Sequence, residues 1–334
     1  MNSDLNQRSG WVVGIDTGGT RTRAVLADGH DGRTLGEGTA GPGNPLAVPG
    51  PELADHLAEA VASAVPAAGR GRVVAVVGGF AGAARAPEEE PGRMRARAAL
   101  TEALTRLGIA AGAVEVYSDI EAAFAGAPGH PADGLALVAG TGAVAARIEG
   151  RVLRATSGGD GWLLGDDGGG FWIGREAARA ALRAADGRGE PTALAEAVGR
   201  ALGIPETVLP PVGGGRWTPD RRAAYRARLL PAVMDRPPVR LADLAPLVVR
   251  AAQEKDATAG TILEEAGAHL AATVAALGPR PGEALVVTGG LVAPEGPLLT
   301  PLAGRLARLD LTITPVTDGC AGAVALARLI ATGP

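Results

Sequence analysis

Lysine is almost missing from this chain: Lys255 is the only one in 334 residues, and the remaining positive charge is arginine. A Walker A phosphate loop needs Gly-Lys-Ser/Thr, but Lys255 stands in Glu254-Lys255-Asp256, so that loop is excluded. Cysteine is as scarce. Cys320 is alone, and the chain can supply no internal disulfide, all-cysteine zinc site or four-cysteine iron–sulfur cluster. Cys320 itself, beside a helix start, reads as a small apolar residue rather than a nucleophile. His30, His56, His130 and His269 show no metal-ligand spacing. Aromatic residues make up 3%. No apolar run is long enough to span a membrane, and Met1 to Gly10 is polar with no signal-peptide core. Neither a membrane nor an exported location is expected, and a cytoplasmic one is. The net charge of −4 offers nucleic acid no basic footprint.

What is present is an ordinary globular balance, 46% hydrophobic and 20% charged, in a length that suits about two domains. The residues that say most are two apolar, β-rich runs that break at Gly/Thr and then resume. The first is Val12-Val13-Gly14-Ile15-Asp16-Thr17-Gly18-Gly19-Thr20-Arg21-Thr22-Arg23-Ala24-Val25-Leu26. The second is Leu135-Ala136-Leu137-Val138-Ala139-Gly140-Thr141-Gly142-Ala143-Val144-Ala145-Ala146-Arg147-Ile148. Each reads as a hairpin whose tip exposes backbone N–H groups, and glycines let such a tip approach an anion closely. Between them stands Tyr117-Ser118-Asp119-Ile120-Glu121. Two such loops with a carboxylate between them suggest a nucleotide held in a clamp.

The rest of the pattern is α/β. Three strands are expected in 11–40, a helix over Glu52–Ala67, a strand over Val73–Val77 ending in a Gly78–Gly82 loop, a helix over Arg93–Leu107 and a strand over Val114–Tyr117. The second half repeats the theme, with three strands in 135–156. Helices are then expected at Trp172–Ala185, Thr192–Leu202, Arg221–Leu230 and Asp256–Leu277, followed by a strand at Ala284–Thr288 and a terminal helix over Gly322–Thr332. Gly213–Asp220 and Asp235–Val239 read as surface excursions. The recurrence of strand–Gly-loop–strand suggests a duplication.

The pieces Asp16-Thr17-Gly18-Gly19-Thr20, Ser118-Asp119, Gly140-Thr141-Gly142, Gly165-Asp166-Asp167-Gly168 and Thr288-Gly289-Gly290 resemble, in residue type and order, the superfamily of sugar kinases, actin and heat-shock chaperone ATPases. Within it the chain is similar to the N-acetylglucosamine kinase branch of the BadF/BadG/BcrA/BcrD ATPase family. The resemblance implies two ribonuclease-H-like (actin-like ATPase) domains with a nucleotide and sugar cleft between them. Residues 1–118 with the terminal helix 319–334 would form one domain and 119–318 the other. It also implies ATP and Mg²⁺ as cofactors, a small amino sugar as partner, and a possible homodimer.

On this reading Asp16, at the end of an apolar strand, holds the Mg²⁺ of MgATP directly or through water. Its competing role is a turn-forming aspartate. Thr17, Gly18, Gly19, Thr20 and Thr22 would hold phosphates, with charge added by Arg21. Asp119 is the candidate general base that accepts the proton of the attacking hydroxyl, a role compatible with capping the helix that follows. Gly140, Thr141 and Gly142 would face the phosphates from the other side, and Thr141 and Gly142 would also touch the sugar. Gly289 and Gly290 would pass against adenosine. Asn44 and Asp166 would grip the sugar, Asp166 having helix N-terminal acid as its competing role. The family places a polar sugar contact two positions after the second loop glycine, and here that position is Val144. The stretch from Ser157 to Gly174 carries eight glycines between 158 and 174 and two of the four tryptophans. Trp162 and Trp172 read as core residues.

The implied activity is phosphorylation of an amino sugar, N-acetylglucosamine at O6. Glucosamine kinase is the near alternative, and a non-catalytic sugar or nucleotide sensor the distant one. Some family members activate dehydratases through a cluster shared between subunits, for which this chain lacks the thiolates.

Overall fold

The structure is a computed structural model and describes residues 10–83, 90–211, 216–317 and 319–332. The polar N-terminal stretch and part of the Gly213–Asp220 excursion lie outside them. The chain opens with a meander, β1 (Trp11–Thr17), β2 (Thr22–Asp28) and β3 (Thr34–Ala40), then α1 (Gly50–Ala64), β4 (Val73–Phe80), α2 (Pro91–Arg106), β5 (Ala113–Ser118) and α3 (Asp119–Ala125). A second meander follows: β6 (Gly134–Ala139), β7 (Ala143–Glu149) and β8 (Val152–Gly158). After it come α4 (Gly161–Leu164), α5 (Gly170–Asp186), α6 (Leu194–Ala201), α7 (Pro219–Met234), α8 (Ala245–Gln253) and α9 (Ala257–Ala275). The chain closes with β9 (Ala284–Thr288), α10 (Leu299–Leu306), β10 (Thr312–Pro315) and α11 (Cys320–Thr332).

The strands form two five-stranded sheets, ordered β3-β2-β1-β4-β5 and β10-β9-β6-β7-β8. Read from the meander side, both have the same topology: three antiparallel strands, then two parallel to the first. In β1, Val12, Val13 and Ile15 are all buried, as expected of a central strand covered on both faces. One face packs on α1 and α2 through Leu53, Leu57, Val61 and Leu100, and the other on α3 and α11 through Ala122, Ala323 and Leu326. The second sheet has its own core beneath α5, α6, α8 and α9, with Ile173, Val198, Val248 and Leu270 fully buried.

Parallel pairing sets the functional edge. β1, β4 and β5 run the same way, so the carboxyl ends that carry Asp16 and Ser118-Asp119 lie at one edge. β4 between them corrects the sequence reading, because it runs through Gly78-Gly79 to Phe80 instead of stopping at Val77. Glycine is needed there: a Cβ on Gly79 would lie 2.5 Å from the Ala122 Cβ of α3. The sequence reading also passed over α8, α10 and β10. Trp172 is buried as expected, but Trp162 is 41% exposed on α4 beside Leu163 and Leu164.

α11 packs closely on α3, where a Cβ on Gly322 would sit 1.7 Å from the Ala122 carbonyl oxygen. Gly322→Ala must push the helices apart, and overpacking of this kind costs roughly 1–3 kcal/mol. A lower urea midpoint at unchanged slope is the expected result, and a midpoint equal to wild type would contradict the packing described.

Candidate active site

Asp119 is the first residue of α3 and the cap is Ser118, whose hydroxyl accepts the Glu121 N–H. The aspartate expected as a possible cap is therefore freed from capping and keeps partial access to solvent. Its Oδ1 accepts the Ile120 N–H at 3.0 Å. Burial first, and then the negative charge of Asp16, push the Asp119 carboxyl up to about 6 against the opposing Ile120 N–H. Asp119 lies in a cleft of about 430 Å³. Gly82 and Glu90 line it from between β4 and α2, and Val144, Leu153, Thr156 and Gly158 from the second meander. Asn44 stands at this cleft's edge, its Oδ1 accepting the Leu46 N–H and lying 2.9 Å from where a Gly82 Cβ would be. Glu90 caps α2 by accepting the Gly92 and Arg93 N–H groups.

The first glycine loop is a tight turn, closed by the Gly18 N–H to the Arg21 carbonyl at 2.9 Å and by the Gly43 N–H to the Gly18 carbonyl. Gly19, Thr20 and Arg21 are exposed. Thr17 and Thr22, expected at phosphates, are 1% and 0% exposed. The Thr17 hydroxyl donates to the Gly79 carbonyl, and the buried Thr22 hydroxyl faces Gly43. Both side chains therefore brace the loop from beneath rather than standing on its open side. Asp16 is partly exposed at the head of the loop, where a Cβ on Gly319 would come within 2.6 Å of its Oδ1.

The second loop is docked on the start of α5: the Gly170 and Phe171 N–H groups donate to the Gly140 and Thr141 carbonyls, both at 2.8 Å. Asp166, held at a φ of 57°, sends Oδ1 to the Ala143 N–H at 3.2 Å and lies against Gly142. Partial burial raises its carboxyl. Asp166 supports the 140–143 turn and is not among the residues that line the Asp119 cleft.

Gly140 and Thr141 line a second opening of about 630 Å³ with Gly290, Leu291 and the α8 residues Val249 and Arg250. Gly289, at a φ of 99°, turns β9 across the end of β6, and the Leu291 N–H donates to the Ala139 carbonyl. The two openings share one short segment, Gly140 and Thr141 facing the apolar one and Val144 the acidic one. Among the described residues no cluster of three or more His, Cys, Asp or Glu could hold a metal ion, and no helix is long and apolar enough to cross a membrane. The sequence reading missed α8 and Glu90 as walls. No local signal marks them, since both reach the site only through the tertiary fold.

A model of the BadF/BadG/BcrA/BcrD ATPase family matches residues 13–327. A curated relative, the N-acetylmuramic acid/N-acetylglucosamine kinase of Clostridium acetobutylicum, is 32% identical over 188 residues; the match covers 55% of this chain and 57% of the relative. Among solved structures, a candidate N-acetylglucosamine kinase from Porphyromonas gingivalis is 21% identical at a TM-score of 0.69, covering 95% of this chain and 98% of that one. Its counterpart from Chromobacterium violaceum is 22% identical at 0.65, covering 96% and 99%. A ROK family glucokinase from Streptomyces griseus, in complex with glucose and AMPPNP, is 22% identical at 0.57, covering 96% and 99%. At such identities these structures carry the fold, two actin-like α/β halves.

The raised Asp119 carboxyl has a consequence for stability. An acid with a higher folded than unfolded pKa favours the folded state at low pH, and that advantage is lost as pH rises through about 6. Asp119→Asn removes the ionisation. Its melting temperature relative to wild type is expected to rise between pH 4 and 7 and then level off. A difference that stays flat with pH would contradict the burial of this charge.

Proposed function

We propose that this chain, which belongs to the BadF/BadG/BcrA/BcrD ATPase family, is an ATP-dependent kinase that phosphorylates an amino sugar, N-acetylglucosamine at O6, with Asp119 as general base. The observation that carries the reading is the shared 140–144 segment, which joins an apolar opening to an acidic cleft with a carboxylate poised near 6. The apolar opening suits a purine base, with Gly290 and α8 as its walls, and leads the phosphates along Gly140-Thr141 toward the Gly18–Arg21 loop. Mg²⁺, when bound, supplies neutralisation of developing phosphate charge, and Asp16 is the residue that would hold it. The close approach of Gly319 to Asp16, where any side chain would collide, suits such a place.

In the proposed step, the ionised Asp119 carboxylate accepts the proton of the sugar hydroxyl. That oxygen forms the new P–O bond as the bond to the ADP oxygen breaks. Asn44, at the cleft edge, would orient the sugar. Asp166 would reach it only through the oxygen not engaged by Ala143, so its first contribution is to the shape of the loop. One observation favours glucosamine as a second acceptor: Glu90 joins Asp119 in the cleft, and no cation lines it among the described residues.

The test is ADP release with MgATP and a panel of N-acetylglucosamine, glucosamine, N-acetylmuramic acid and glucose. Turnover is expected with one of the first two and is expected to fall about 10²–10⁴-fold in Asp119→Asn. Sugar binding without ADP release would replace the kinase by a sensor. Because the base must be ionised, kcat/KM for the sugar should rise tenfold per pH unit below about 6 and level off above it. A profile flat through this range would remove Asp119 from the role.

A further inference from the structure

Glu121 is 2% exposed, and among the described residues no ion pair involves it. A buried carboxylate without a cation persists only where donors satisfy it. Three do so here. Ser118 donates its N–H to Oε2 at 2.8 Å and its hydroxyl to the same oxygen at 3.1 Å. The Leu153 N–H donates to Oε1 at 2.8 Å. A capping box accounts for the Ser118 side of this set. It does not account for Leu153, which lies 32 residues on in the other sheet, at the register shift between β7 and β8.

Both ends of this bridge matter to the cleft. Ser118 immediately precedes Asp119, and Leu153, Thr156 and Gly158 of β8 form the opposite wall. Beneath the bridge, Ile120 and Phe124 of α3 pack on Ala146, Ile148 and Val286 of the second sheet, so α3 is wedged between the two halves. Ile120 is apolar and Ser118 belongs to the first sheet, so among the described residues of α3 it is Glu121 that makes a polar tie between the two sheets.

We infer that Glu121 is a positioning residue for Asp119: its carboxylate ties the start of α3 to β8 and thereby fixes the distance between the base and the far wall of the cleft. The inference rests on the kinase reading for its kinetic consequence, though the tie itself does not. The charged groups facing Asp119 are Asp16 from β1 and Glu121 from its own helix, both of which raise its carboxyl, with Glu90 across the cleft.

Two variants separate geometry from charge. Glutamine keeps the volume but has one acceptor oxygen, so in Glu121→Gln either Ser118 or Leu153 loses its partner. The expected result is a fall in kcat of at least about tenfold with the sugar KM within about threefold of wild type. Removing a negative charge beside Asp119 should also move the acidic limb of the pH profile downward. Glu121→Asp keeps the charge without the reach, so kcat should fall while the limb stays. Unchanged kcat and an unchanged limb in folded Glu121→Gln, even with a lower melting temperature, would overturn the inference. Should Glu121→Gln fail to fold, an unchanged kcat in Glu121→Asp overturns it alone.

A readout independent of turnover keeps the two readings apart. Carbon-13 titration of the Asp119 carboxyl and amide exchange at Ser118 and Leu153 are measured on wild type and both variants. A wild type that phosphorylates no sugar would end the kinase reading. Faster exchange at the Ser118 or the Leu153 amide and a lowered Asp119 titration in Glu121→Gln would still support the tie, and wild-type exchange at both amides with an unmoved titration would refute it.

Discussion

Two carboxylates of like charge, Asp16 and Asp119, meet at one edge of the first sheet, and holding them there constrains everything around them. Burial disfavours ionisation of Asp119, and the charge of Asp16 adds to the effect. The parallel run of β1, β4 and β5 brings their strand ends to the same side. β4 must then be slender where it passes between them, which is why Gly78-Gly79 remain strand and why α3 can lie against them. The strained chemistry of the edge is thus bound up with the smallest residues in the sheet.

The same economy of side chain recurs where α3 meets α11. Ala122, Ala125, Gly322 and Ala323 let backbones approach where larger residues would hold them apart. α3 is short, yet it touches the first sheet, the terminal helix and the second sheet. A helix so placed transmits any relative movement of the halves to its first residue, which is Asp119. The Glu121 carboxylate, bonded to the Ser118 and Leu153 N–H groups, ties the first turn of that helix to β8.

Much of this was legible in the sequence. The strand–Gly–strand units, the terminal helix and the carboxylate after β5 are local patterns, marked by apolar periodicity broken at glycine. What escaped reading depends on contacts distant in the chain. Gly78-Gly79 looks like a loop until two parallel neighbours supply its hydrogen bonds. α8 follows a stretch rich in proline that reads as an excursion, and becomes the wall of an opening only once it packs beside Gly290. Thr17 and Thr22 have the residue type of phosphate ligands, but the return of the chain at Gly43 covers them. Trp162, read as core, lies instead on a short exposed helix among glycines, edge-on to Phe171 with ring centres 5.7 Å apart.

Asp166 joins several parts of its loop through one side chain and its own backbone. Its backbone takes a left-handed conformation that aspartate tolerates better than most side chains. That turn brings Oδ1 to the Ala143 N–H and packs the carboxylate on Gly142, while its own carbonyl accepts the Gly169 N–H at the start of α5. The aspartate therefore joins the loop that lines one opening to the helix on which that loop is docked. A glycine at 142 is demanded by the carboxylate, and the carboxylate is retained by the loop's amide. This mutual dependence explains why acid and glycines occur as one dense stretch, and why its first effect on chemistry is the shape it gives to Gly140-Thr141 and Val144.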